Sequence, residues 1–105
     1  MTWHIEYLKS AQEDLEFLDH GQRIQVLKAI EKVSKNPLPQ AEGGYGKPLG
    51  NRESSKLSGY FKIKFLKLGI RVVYGIIREK EIMKIIIISI RDDNTVYKMA
   101  EKRIK

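Results

Sequence analysis

The side chains best suited to chemistry in this chain are cations spaced along apolar segments. Lys62 and Lys64 stand two apart in Tyr60-Phe61-Lys62-Ile63-Lys64, Arg71 opens Arg71-Val72-Val73-Tyr74, Arg91 follows Ser89-Ile90, and Tyr97 comes six residues later. Residues two apart on an extended strand share a face, so both lysines project opposite Phe61, Ile63 and Phe65. If Lys64 lies across from Arg71, a register that the short connection permits but does not force, three charges converge. Crowded positive charges disfavour one another's protons, which lowers lysine pKa values and frees an amine to act as a base. An arginine fork at Arg91 could hold a phosphate and stabilise its added transition-state charge. Tyr97 could orient that phosphate or meet a nucleotide. Equally, the cations could be solvated positions on a half-exposed sheet and Tyr97 could be core, and the residues alone leave both open.

Other chemistries lack their residues. Cysteine is absent, which excludes disulfides, thiolate metal sites and thiol nucleophiles. The two histidines, His4 and His20, are expected to be structural or solvated. They form no H-E-x-x-H motif or tight carboxylate cluster, which argues against a metal hydrolase and a two-histidine ribonuclease. No nucleophile elbow is present for a serine hydrolase. The stretch EGGYGKPLG lacks the G-x-x-x-x-G-K-S/T order and does not run cleanly into a helix, which argues against a nucleotide-binding loop.

Charge points to a polyanion. Residues 1–50 carry six Lys/Arg against seven Asp/Glu and residues 51–105 carry fourteen against six, so the net +7 divides into −1 and +8. DNA, RNA and an acidic protein all satisfy that balance. The N-terminus lacks a basic start followed by an apolar stretch, and no apolar run approaches the roughly 20 residues of a membrane span, so a cytoplasmic protein without a membrane partner is expected.

The elements that must position the cations follow from periodicity. A chain of 105 residues with 42% hydrophobic content suits one domain over 1–105. Trp3 to Leu8 alternates as a strand. Ser10 and Glu13 form an S-x-x-E box before a helix near 10–19. Gly21 is expected to break that helix, and a second runs from Gln22 to about Ser34 on Ile24, Leu27, Ile30 and Val33, ended by Asn36, Pro37 and Pro39. Residues 36–57 read as a surface loop or arm. Strands follow from Phe61, over Ile70 to Ile77 and over Ile82 to Ile90, where IIIISI is too β-branched for a helix and reads as a central strand. A short last helix starts near Asp92 or Asp93 and carries Val96, Tyr97 and Ala100. The expected fold is α+β, a β-α-α-β-β-β order plus that helix: a small antiparallel-rich sheet with an N-terminal helix hairpin on one face and an open face opposite.

The series KPLGNRESSKLSGYFKIKFLKLGIRVVYGI, followed by IIIISIRDDNTVY, resembles the RelE/ParE toxin superfamily. Its pattern is a leucine-glycine loop, alternating basic residues on the next strand, an R-v-v-Y strand and a last strand with a basic terminal motif. Element order extends the resemblance over residues 2 to about 103, and the pattern is closest to the RelE-type mRNA interferases. The resemblance implies catalytic roles for Lys62, Lys64, Arg71, Arg91 and Tyr97. It implies a metal-independent and cofactor-free ribosome-dependent endoribonuclease, in which a 2′-hydroxyl attacks the adjacent 3′ phosphate of mRNA in the A site. Lys64 would be the base, Lys62 its cationic neighbour, Arg71 and Arg91 phosphate ligands and Tyr97 an orienting group. Asp92 and Asp93 depart from the basic terminus of that branch and would weaken phosphate attraction unless they point away or start the last helix favourably. The branch that uses a Glu/His pair matches less well, because no histidine lies near the C-terminus and Glu53 has no evident partner.

The implied partners are a cognate antitoxin, the ribosome and mRNA, with operator DNA reached only through the antitoxin complex. Two alternatives use the same scaffold. One is a ParE-like toxin that inhibits DNA gyrase by protein contact, and the other is a non-catalytic basic module whose lysines contact phosphate only.

Overall fold

The computed structural model describes residues 2–49, 57 and 59–104. Five strands form one sheet in the order β1-β5-β4-β3-β2. β1 (His4–Tyr7) runs parallel to β5 (Ile82–Ser89), which pairs antiparallel with β4 (Ile70–Ile77). Next come β3 (Phe61–Phe65) and the two-residue β2 (Lys47–Pro48), both antiparallel. The α+β architecture and the antiparallel-rich sheet are as expected, and the Ile-rich strand is interior.

The four consecutive isoleucines of β5, Ile85 to Ile88, are all buried because the strand does not alternate regularly. Val73 pairs with Ile87 and Tyr74 with Ile85, which leaves Ile86 as an inserted residue. The bulge sends Ile85 and Ile88 to one core and Ile86 and Ile87 to the other. Each sheet face thereby receives two isoleucines from one four-residue run.

Two helices cover the first face: α1 (Lys9–Phe17) and α2 (His20–Ser34). Ala11, Leu18, Val26, Ile30 and Val33 pack there against Phe61, Ile70, Val72, Tyr74, Met83 and Ile85. The helix boundaries correct three expectations. Ser10 does not cap α1: Leu8 donates its N–H to Ile85 O at 3.1 Å, takes the extended N-cap conformation itself and leads directly into the helix. Gly21 does not break the helical run but lies in the first turn of α2, whose capping box joins Asp19 and Gln22. Ile24 and Leu27 are not core. The buried stripe is Val26, Ile30, Val33 and Ser34, and Ile24 and Leu27 border a shallow groove with Ile5 and Tyr7 at the β1 edge. Arg23 closes α1 by donating to the carbonyls of Leu15, Glu16 and Leu18 at 3.2, 3.2 and 2.9 Å.

The opposite face is not wholly open, which corrects the remaining expectation. α3 (Asp93–Ile104) lies on it, with Val96, Tyr97 and Ala100 against Val73, Ile86 and Ile87. Asp92 caps this helix, accepting from Thr95 N at 2.9 Å. A half-buried polar junction seats it. β1 stops opposite Ile85, and where its hydrogen bonds end, Asp14 Oδ2 accepts from Ile88 N at 3.0 Å while Arg103 Nη1 donates to Ile86 O at 2.9 Å. Arg103 and Asp14 also pair with each other at 2.6 Å. Two side chains thus satisfy the β5 edge that β1 leaves uncovered.

The loop between α2 and β2 is a closed turn. A 3₁₀ turn at Gln40–Glu42 is enclosed by Gln40 N to Gly46 O and Gly46 N to Leu38 O, each 2.9 Å. Tyr74 donates its hydroxyl to Pro37 O at 3.1 Å and Arg78 grips Glu42 through two bonds of 2.8 and 2.9 Å. A side chain at Gly44 would meet Leu38 O at 2.1 Å, so the turn closes only on glycine. The rest of the expected loop, with Glu53, lies outside the described residues.

Candidate active site on the open half of the sheet

The strands that build the core also build the site. Phe61, Ile63 and Phe65 face α1 and α2, so Lys62 and Lys64 project from the other side of β3. The register of β3 and β4 sets Lys64 directly opposite Arg71, and Arg71 in turn opposite Ser89 of β5. Lys62, Lys64 and Arg71 therefore share one face, at neighbouring positions roughly 5 Å apart across strands and roughly 6.6 Å along them. Lys64 is exposed, and Lys62 and Arg71 are half-buried.

Arg71 also organises the end of β5. Its Nη1 donates to Arg91 O at 2.8 Å and to Gly69 O at 3.4 Å, and Arg91 N donates to Ser89 Oγ at 3.1 Å. The turn between β5 and α3 is held against the turn between β3 and β4, which brings the Arg91 backbone beside the three cations. Arg91 is exposed and borders a groove with Phe17, Gln22, Ile90 and Met99.

Tyr97 has a different setting. It is 2% exposed, in the apolar layer under α3 with Val73, Ile86 and Ile87. Lys62, Lys64, Arg71 and the Arg91 backbone come together, whereas Tyr97 lies in the packing beside them. Asp92 turns a carboxylate oxygen to the helix N-terminus by accepting from Thr95 N. His4 and His20 are exposed, on the edge strand β1 and at the start of α2, apart from the cations.

Sequence reasoning missed one cation of this face. Lys47 pairs directly with Lys62 and so projects beside it. β2 has only two residues, too few for any alternation to be read, although the Lys-Pro-Leu sequence before the leucine-glycine loop lies within the family-like segment.

A scan of protein-family models finds no match. An Escherichia coli protein named as a RelE-like toxin protein is 27% identical over 109 residues, with 100% of each chain covered. Among solved structures, E. coli toxin RelE in the free state, as a double arginine-to-alanine mutant, superposes with a TM-score of 0.76 at 27% identity over 100% of both chains. The same mutant toxin in complex with an antitoxin RelBc peptide gives 0.70 at 25% identity over 95% of each chain. The Mycobacterium tuberculosis toxin–antitoxin complex RelBE2 shares the fold, with a TM-score of 0.68 at 23% identity, over 89% of this chain and 95% of that one. Strand order, helix placement and full-length likeness agree, so the chain has the fold of the RelE toxins and is similar to them in sequence over its whole length.

Proposed function

We propose that this protein is the toxin of a type II toxin–antitoxin pair and that it acts as a ribosome-dependent endoribonuclease on mRNA in the A site. The observation that carries the reading is the direct Lys64–Arg71 pair beside the Arg91 backbone, on a face that α3 leaves uncovered. Full-length likeness to E. coli RelE and to its complex with an antitoxin peptide supports the toxin class and a cognate antitoxin as partner.

In this reading Lys64 acts as the general base and removes the proton of the 2′-hydroxyl. The 2′ oxygen attacks the adjacent phosphorus and the P–O5′ bond breaks. Products are a 2′,3′-cyclic phosphate and a 5′-hydroxyl, with the departing oxygen protonated from solvent, because a guanidinium holds its proton too tightly to be a good acid. Arg71 holds a non-bridging oxygen while its Nη1 keeps the Arg91 turn in place, and Arg91 stabilises charge on the leaving side. Lys62 supplies field and phosphate contact. Tyr97 acts as a positioning residue whose buried ring seats α3 and so sets the border of the site. The toxin works in the cytoplasm, and operator DNA is reached only in complex with the antitoxin.

The test is purified protein added to programmed 70S ribosomes with a defined A-site codon, with mapping of mRNA ends and a ribosome-free control. Cleavage only with ribosomes, giving cyclic-phosphate ends, is expected. Intact mRNA would remove the nuclease reading and bring forward the gyrase one, tested by DNA supercoiling. The apolar groove of Ile5, Tyr7, Ile24 and Leu27, a surface suited to protein contact, is the observation on that side.

A further inference from the structure

We propose that Lys47 is a fourth cation of the RNA-binding face and that it contacts a phosphate flanking the one at Lys64 and Arg71. This inference rests on the reading of that face as a single-stranded RNA site and extends the site onto β2.

The geometry comes from register. Lys47 pairs with Lys62, and Lys64 pairs with Arg71, so the four cations form two cross-strand pairs on one face of β2, β3 and β4. Within each pair the backbones lie roughly 5 Å apart, and the pairs are offset along β3 by two residues, roughly 6.6 Å. That offset is comparable to the step between successive phosphates in an extended single strand. One phosphate at Lys64 and Arg71 brings its neighbour to Lys62 and Lys47.

Energetics support a ligand. Like charges directly opposite each other destabilise a strand pair, here on a strand of only two residues. Among the described residues, no carboxylate forms a salt bridge with Lys47 or Lys62. A lysine on an edge strand also discourages intermolecular pairing, but that role does not require a position facing another lysine beside an arginine. Lys47 is moreover exposed at the exit of a firmly closed turn, whose ties from Tyr74 to Pro37 and from Arg78 to Glu42 fix the path of the chain into β2.

The probe is a short fluorescein-labelled 2′-O-methyl oligouridine, which binds as a single strand and cannot be cleaved by its own 2′-hydroxyl. Affinity is measured by anisotropy between about 50 and 200 mM KCl for the full chain, for Lys47→Gln and for Lys28→Gln, a control on α2. The expected result is a salt slope about 0.7 shallower in Lys47→Gln, the change for one single-strand phosphate contact, with an affinity loss of up to about fivefold at low salt. Lys28→Gln should match the parent chain. An unchanged slope in Lys47→Gln overturns the proposal, and so does a parent chain that binds polyglutamate but not the oligouridine, which would make the face a protein-binding one. Parallel cleavage assays on programmed ribosomes separate the two claims. A parent chain that cleaves while Lys47→Gln keeps the full slope defeats this inference alone. One that shows the slope change but cuts no mRNA defeats the nuclease reading and leaves an RNA-binding face.

Discussion

The two faces of β3 and β4 are built from adjacent residues but differ in what surrounds them. On one, Phe61, Val72 and Tyr74 are closed off by α1 and α2, the Phe61 and Tyr74 rings meet at 5.4 Å, and the Tyr74 hydroxyl finds a carbonyl partner. On the other, Val73 disappears under α3 while Lys62, Lys64 and Arg71 stay accessible beyond it. The fold thus uses strand alternation to hold these cations in place by their neighbours' packing, and the boundary between sealed and open is the edge of one helix. The Asp14–Arg103 junction matters to the second face because it seats that helix on the uncovered edge of β5.

If this division of labour holds, changes on the open face cost activity and changes on the sealed face cost stability. The largest effect is expected for Arg71→Ala, which removes the tie to the Arg91 carbonyl and, in the proposed reading, a transition-state donor. Cleavage on programmed ribosomes should fall by about 10²–10³-fold, with little change in melting temperature. A large loss of thermal stability in this variant would show that Arg71 belongs to the scaffold.

Asp14→Ala should come next. It leaves Arg103 without its partner at a site where both side chains are only 18% exposed, and it strips the acceptor from Ile88 N. A loss of about 2–3 kcal/mol is expected in urea unfolding. A double variant with Arg103→Met should lose less than the sum of the two single changes.

Tyr74→Phe removes one buried hydrogen bond and leaves the Pro37 carbonyl without its side-chain donor. About 1 kcal/mol is expected, read as a drop of about 4–8 °C in melting temperature, with cleavage at low temperature unchanged. The smallest effect concerns Glu42. Arg78 donates to its carboxylate and holds its pKa below the ordinary value. A lowered folded pKa makes the stabilisation complete above the unfolded pKa and lost as pH falls through the folded one. Melting curves of Glu42→Gln and the parent chain should differ slightly at neutral pH and converge in acid.

The cationic face was legible in the sequence because alternation sorts neighbours mechanically. Phe61, Ile63 and Phe65 demand one side of a strand, so Lys62 and Lys64 have only the other. The last helix was legible near Asp92 and Asp93 because a side chain that accepts from a helix N-terminus is a local signal. Where several apolar stripes competed, sequence reasoning chose wrongly. Ile24, Val26, Leu27, Ile30 and Val33 allow more than one helix face, and only the position of α2 over the sheet edge selects Val26 and exposes Ile24 and Leu27. Ser10 had the residue type of a cap but not the backbone, since the chain turns into α1 one residue after its last bond to β5. The bulge at Ile86 and the pairing of Lys47 with Lys62 depend on register alone, which no local pattern records.

The most direct test of the central claim is the single-turnover cleavage rate of A-site mRNA by Lys64→Ala, measured beside the parent chain at equal melting temperature. Loss of a general base predicts a fall of about 10²–10⁴-fold at saturating protein, with ribosome binding retained. A folded Lys64→Ala that cleaves at the parental rate would contradict the assignment of this face as the catalytic centre.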